Sequence, residues 1–473
     1  MTAVTVLWQH DASWLADAYR RGKADPVEAV REYLDRIQRI DPALNAFTAL
    51  ANDAEAQAAE SHKRLNAQAP RGPLEGVPIA VKDNLRVAGM PATWGSKVFA
   101  NEVCEKDELP VKRLREAGAI ILGKTNTPEF AVEGYTANAL FGVTRNPWNL
   151  NLTPGGSSGG SVAAVAAGLV PAAIGTDGGG SIRRPAAYTG LYGLKPTIGR
   201  VPRADGLPQL LLDFEVVAPL ARTVRDLNLF YSVLGGPDRS DPQSRGVGEN
   251  RSAGKADNAL KILYVDRFGE EPCDPLILQS CRKAADRLTD LGHHIESGVL
   301  PFDLAAINAF WGTISQVGLA RMRCAIPRMR QQAGPQYQAM ADLGDAISAT
   351  DFLAGLEGVR TLRSAVSQAF ENWDLIMTPA CAAMPWVAEN PFPEEIDRTT
   401  VGPRGHAIYT GWVNASGHPA VALPADPAPE GLPIGFQLIG DLAGEGLLLE
   451  IAAAYEETRE GDVLWPGIAL GEG

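Results

Sequence analysis

Apolar positions recur every three to four residues through the first sixty, at Leu15, Ala16 and Tyr19 and again from Val27 to Leu50, with charged residues between them. That period belongs to helices with one apolar face, which would serve packing and a homodimer surface. Past a loop at Pro70 to Gly76 the rhythm changes. Short apolar runs at Val77 to Lys82 and Ala119 to Gly123 read as strands, and Leu109 to Ala117 reads as a helix. Strands alternating with helices predict an α/β fold on a largely parallel or mixed sheet.

Farther along, Thr223 and Asp226 have capping-box spacing for a helix to about Leu234, closed by Gly235 and Gly236. The polar stretch from Pro237 to Asn258 predicts a surface loop. Then come a strand at Leu260 to Val265, a helix at Asp274 to Leu291, and a long helical region from about 303 to 371. Strands return at Leu375 to Thr378, Ala420 to Pro424 and Gly435 to Ile439, before a helix at Gly446 to Glu457. Strand-rich segments on both sides of the helical region favour one domain over 1–473. Its parts are N-terminal helices (1–65), a core (66–235), a variable, mostly helical substrate-side region (236–375) and a return to the sheet (376–473).

Composition narrows the class. With 473 residues, 45% of them hydrophobic, the chain can bury a large core without staples. A net charge of -13 repels phosphate, so the expected partner is a small molecule and not nucleic acid. The start lacks a basic stretch followed by an apolar one, which points to the cytoplasm. The most apolar run, SVAAVAAGLVPAAIG, is short and broken by Pro171, so no membrane span is expected. Five scattered cysteines and six histidines without HxxxH spacing suggest neither a disulfide frame nor a metal, and no cofactor is expected.

The chemistry is concentrated in PGGSSGGSVAAVAAGLVPAAIGTDGGGSIRRPAA, residues 154–187. Two glycine-rich turns, each with a serine, are joined by a helix of small residues from Ser161 to Leu169. That helix can pack tightly enough for Ser157 and Ser181 to meet over one cavity. Gly178, Gly179 and Gly180 set consecutive N–H groups beside the Ser181 hydroxyl, as a tetrahedral oxyanion requires. A phosphate loop would instead need a lysine in the GxxxxGK[ST] register, which neither turn has. A serine nucleophile needs a base, and no histidine lies in residues 63–292. Lys82, at the end of the apolar VPIAVK, is a candidate, because burial lowers an amine's pKa.

GGSSGGS followed by GTDGGGSIRRPA, with VPIAVKDN upstream, resembles the amidase signature family of serine hydrolases. The similarity extends to GLKPTIGRVPR, VAPLARTVRD, SGHPAVALPA and GLPIGFQLIG, and is weakest from about 240 to 370. The resemblance implies a central mixed, twisted β-sheet covered by α-helices on both faces. It also implies a triad with Lys82 as ultimate base, Ser157 as a bridging serine reached through a cis peptide after Gly156, and Ser181 as nucleophile. Gly178, Gly179 and Gly180 would hold the oxyanion, with Ser158 and Asp177 in support. Gly178 stands where many relatives carry a larger apolar residue. Arg183 and Arg184 read as structural ion pairs.

For substrate recognition the candidates are Tyr135, Asn138 and Phe141 in EGYTANALFG, and Trp311 in the helical region. With no obvious cationic cluster, the expected activity is a stand-alone amidase for a small aryl or aliphatic amide. The alternative is a glutamine-hydrolysing amidase subunit of a tRNA-dependent transamidation complex. The acidic charge and the absence of a tyrosine-rich pattern over 300–370 weigh against it. A catalytically idle relative is disfavoured by the joint presence of Lys82, Ser157 and Ser181.

Overall fold

A computed structural model describes residues 6–248, 259–459 and 465–471. Its centre is an eleven-stranded mixed sheet flanked by helices. In chain order the strands are β1 (Phe47–Leu50), β2 (Pro78–Lys82), β3 (Ile120–Thr125), β4 (Ala172–Asp177), β5 (Tyr192–Lys195) and β6 (Val216–Ala221). They continue as β7 (Lys261–Tyr264), β8 (His294–Ser297), β9 (Leu375–Pro379), β10 (Ala420–Pro424) and β11 (Gly435–Gly440). Across the sheet they run β1-β3-β2-β4-β6-β5-β10-β11-β9-β7-β8. The pairs β3/β2, β2/β4, β9/β7 and β7/β8 are parallel; the others are antiparallel.

One neighbour relation positions the chemistry. β2 and β4 lie side by side and parallel, with Ala80 opposite Ala173 and Val81 opposite Ile174. Their C-terminal ends therefore bring Lys82 beside Thr176 and Asp177. Every residue of β2, β4 and β6 is buried, as expected of strands covered on both faces. The helix Gly159–Ala166, whose residues are all buried, packs against β2 and β4. It comes so close that a Cβ on Gly160 would lie 2.3 Å from the backbone nitrogen of Asn126 and 2.6 Å from the carbonyl oxygen of Ala46.

The N-terminal helices are tied to this core. Arg36 of the helix Pro26–Leu44 lies 3.4 Å above the Trp8 ring and donates to the carbonyls of Ala167 and Gly168. The apolar period that suggested helix to Leu50 stops earlier. Asn45 takes a left-handed conformation at φ 54° and caps the helix, and the Asp41 carboxylate receives the next N–H groups, so Phe47–Leu50 leaves as strand β1. The long helical region is also divided, into Ala305–Ala325, Met329–Gln332, Pro335–Asp345 and Ala349–Ala369, with Pro327 and Gly334–Pro335 at the breaks.

The capping box is half formed. Thr223 Oγ1 receives the Asp226 N–H at 3.2 Å, but the Asp226 carboxylate turns away to the N–H groups of Ala12 and Ser13 at 2.7 and 2.8 Å. It thus caps the first helix, Ala12–Arg20. In the expected loop, Pro242–Gly246 forms a 3-10 turn, and 249–258 fall outside the described residues. Among the described residues no helix is long and apolar enough to cross a membrane. Gly160→Ala is expected to destabilise the protein by about 1–3 kcal/mol despite the gain in helix propensity, because backbone would have to move. A urea midpoint unchanged from wild type would contradict that close approach.

Candidate active site

Lys82 is fully buried at the end of β2. Its Nζ donates to Ser157 Oγ at 2.8 Å and Thr176 Oγ1 at 3.0 Å. Asn84 Nδ2 also donates to Thr176 Oγ1, at 2.9 Å, which holds that hydroxyl in place. Burial pushes the Lys82 amine down to about 7; the charges of Glu215 and Asp177 oppose the shift, and Arg203 adds to it. Both carboxylates already have partners. Arg203 binds Glu215 at 2.6 Å and Glu108 at 2.8 Å, and Arg183 binds Asp177. Among the described residues Lys82 therefore meets two hydroxyls and, at 3.5 Å, the Thr176 carbonyl, but no carboxylate.

The Gly156–Ser157 peptide is cis. Ser158 joins the two glycine turns, since its N–H donates to the Ser181 carbonyl at 3.2 Å and its hydroxyl to the Thr176 carbonyl. Ser181 follows a turn clamped at both ends of one peptide unit. Thr410 Oγ1 donates to the Gly179 carbonyl at 2.8 Å, and the Gly180 N–H donates to Asp177 Oδ1 at 2.6 Å. Gly180 has φ +112°, and a Cβ there would lie 2.2 Å from Thr410 Oγ1, so no other residue fits. One expectation changes in consequence. The Gly180 N–H is occupied by Asp177, which leaves Gly178 and Gly179, together with the Ser181 N–H, as the oxyanion donors to be sought on this turn.

Asp177 is the knot of the site. Its carboxylate receives the N–H groups of Gly180 and Ile182, the Arg183 guanidinium at 3.0 Å through two nitrogens, and Asn414 Nδ2 at 2.9 Å. Burial alone would raise its pKa, but the Arg183 charge and these hydrogen bonds outweigh it and hold the carboxyl well below the usual range. Arg183 is accordingly a structural ion pair, with further bonds to Gln437 and the Thr410 carbonyl. Arg184 is not. It is buried, and among the described residues it meets no carboxylate and its Nε has no partner.

Ser181 opens on a cavity of about 480 Å³. Tyr135 and Trp311 line it, as anticipated for substrate contacts, but Asn138 and Phe141 do not. Asn138 uses its amide on the loop, donating to Asn126 and the Thr127 carbonyl and receiving the Leu140 and Phe141 N–H groups. Four further lining residues are Glu133, Arg184, Arg404 and His406; Arg184 reads from the sequence as a structural ion pair, and no pattern marks the other three as pocket residues. Arg404 stands 4.5 Å over the Trp311 ring. Among the described residues neither ring nitrogen of His406 has a hydrogen-bond partner; burial first, then Arg184 and Arg404, hold its pKa well below the ordinary value and keep it neutral. The cavity is thus more cationic than the sequence suggested.

Comparison with known proteins agrees with this geometry. The amidase family model matches residues 28–449, and the chain belongs to the amidase signature family. Among solved structures it is similar to a bacterial aryl acylamidase of the amidase signature enzymes, with a TM-score of 0.88 and 29% identity over 98% of this chain and 99% of that one. It is also similar to the peptide amidase from Stenotrophomonas maltophilia, with a TM-score of 0.81 and 27% identity over 96% of this chain and 97% of that one. Among curated proteins it is 35% identical to the glutamyl-tRNA(Gln) amidotransferase A subunit of Symbiobacterium thermophilum, covering 95% of this chain and 96% of that protein. The same-named protein of Methylococcus capsulatus is 35% identical, covering 96% and 98%.

These relatives correct the expectation of a stand-alone amidase for small aryl or aliphatic amides, with a small molecule as partner and no nucleic acid. The curated sequences bearing the amidotransferase name match at 33–35% over nearly the full length. Net charge misled because it describes one chain's average surface and not what an assembly containing that chain can hold. Asp177→Ala is expected to cost about 3–5 kcal/mol by stranding the Arg183 guanidinium in the interior. A denaturation midpoint within error of wild type would contradict the role given to this pair.

Proposed function

We propose that the chain is the glutamine-hydrolysing amidase subunit of a glutamyl-tRNA(Gln) amidotransferase-type complex. The observation that carries the reading is the site itself: a buried, low-pKa Lys82 in contact with Ser157, and Ser181 facing a cavity whose arginines meet no carboxylate among the described residues and so suit a carboxylate-bearing amide. The near full-length similarity to amidotransferase A subunits supports it. In this reading the setting is cytoplasmic, and tRNA contacts fall mainly to partner subunits, since a chain of net charge -13 repels phosphate.

In the mechanism, neutral Lys82 accepts the Ser157 proton, Ser157 accepts that of Ser181, and Ser181 Oγ attacks the side-chain amide carbon of glutamine. The oxyanion is received among the N–H groups of Gly178, Gly179 and Ser181, on a turn already fixed by Thr410 and Asp177. As the tetrahedral intermediate collapses, the proton returns through Ser157 to the departing nitrogen, and ammonia leaves a glutamyl ester on Ser181. Water, deprotonated by the same relay, cleaves the ester to glutamate and restores the serine. The ammonia is then available to a partner that amidates glutamyl-tRNA.

Ammonia release from L-glutamine, measured for the chain alone and together with its companion subunits and glutamyl-tRNA, tests this reading. Glutamine turnover that rises in the assembled complex and disappears in Ser181→Ala is the expected result. Absence of glutamine turnover in both settings would sink it. Because only the neutral amine can accept a proton, kcat/KM should climb as pH rises through about 7 and level off above it. Lys82→Ala should lower kcat by about 10²–10⁴-fold. Arg203→Met frees Glu215 to favour the ammonium form, so the acid limb should move to higher pH. A limb that stays fixed in that variant would refute the electrostatic account of Lys82.

A further inference from the structure

Resting on the glutamine reading, the cavity permits a statement about how the substrate is recognised. It contains one carboxylate, Glu133, and two guanidiniums, Arg184 and Arg404. Arg184 lies buried behind Gly156, with one long contact to that carbonyl at 3.5 Å. Arg404 is different: its side chain is exposed where the cavity opens, stacked on Trp311, and among the described residues it meets no hydrogen-bond acceptor or carboxylate. The Glu133 carboxyl likewise has neither a cationic partner nor a hydrogen-bond donor among the described residues. Opposite charges on the walls of one cavity, with no ionic partner for either among the described residues, leave two free poles that a dipolar ligand can join, and the half-buried Glu133 gains most from such a partner.

We infer that Arg404 and Glu133 form a two-pole clamp for the amino-acid end of the substrate, Arg404 receiving the α-carboxylate and Glu133 the α-ammonium. The amide end is thereby directed toward Ser181, which opens on the same cavity. Trp311 supports the guanidinium through its ring face, which orients it without competing for its N–H groups. Burial raises the Glu133 carboxyl above its usual pKa, and a bound ammonium would restore its ionisation. These two residues would determine selectivity, while the bond-breaking steps belong to the serines and Lys82.

Calorimetric binding to the full-length Ser181→Ala chain tests the clamp without turnover. The probes are L-glutamine, 4-carbamoylbutanoate, which lacks the amino group, and 4-aminobutanamide, which lacks the carboxylate. The parent should bind glutamine at least about tenfold more tightly than either truncated amide. Adding Arg404→Gln should erase the preference over 4-aminobutanamide, and adding Glu133→Gln should erase the preference over 4-carbamoylbutanoate. Thermal melting checks that each variant is folded. A variant that keeps its preference to within about twofold of the parent, or a parent that prefers glutamine over neither truncated amide, overturns the clamp. The glutamine reading fails separately, if these preferences appear as expected but the wild-type chain, alone and in complex, releases no ammonia.

Discussion

The site depends on burying a lysine amine while denying it a carboxylate. Lys82 lies near Glu215 and Asp177, either of which could hold it permanently charged, yet Arg203 engages the first and Arg183 the second. Beside the amine lie the hydroxyls of Ser157 and Thr176 and, farther off, the Thr176 carbonyl. Burial thus keeps a normally cationic side chain close to neutrality, helped by Arg203, while both carboxylates are engaged elsewhere. This makes a base of a lysine, because the cost of burying charge is borne by well-bonded ion pairs and not by the reacting group.

The same ion pairs shape the backbone. Asp177 ends β4, gathers the Gly180 and Ile182 N–H groups, and through Arg183 and Asn414 connects the serine turn to the C-terminal part of the chain. Thr410, four residues before Asn414, fixes the other side of the Gly179–Gly180 peptide. The turn that presents Ser181 is therefore held from two parts of the chain more than 200 positions apart, and the parallel pairing of β2 with β4 brings Lys82 to it. Sheet order, ion pairing and turn geometry act as one device.

Much of this was legible in the sequence because it is local. Glycines before Ser181, small residues between the two serine turns and an apolar run ending in Lys82 each state their chemistry within a few positions. The strands β2, β3, β7, β9, β10 and β11 declared themselves by short apolar runs. Strand β1 did not, because the apolar spacing of the preceding helix ran into it and only the left-handed Asn45 separates the two. The cavity was the least legible part. Glu133 and Arg404 are 271 positions apart and neither sits in a recognisable motif, so the cationic character that argues for a carboxylate-bearing substrate appears only once the chain is folded. Asn138 looked like a pocket residue because it is polar and near the first serine turn, but its amide is used up by local backbone.

The most direct test of the account is to observe the Lys82 amine. With lysine labelled at Cε, its chemical shift followed against pH in the folded protein reports the ionisation of each amine, and the Lys82→Met variant identifies the resonance. Lys195, also buried and also pushed down to about 7, serves as an internal comparison that persists in the variant. The signal lost in Lys82→Met is expected to titrate near 7 and to move upward in Arg203→Met. A Lys82 resonance that stays protonated until pH values ordinary for an exposed lysine, about 10.4, would contradict it.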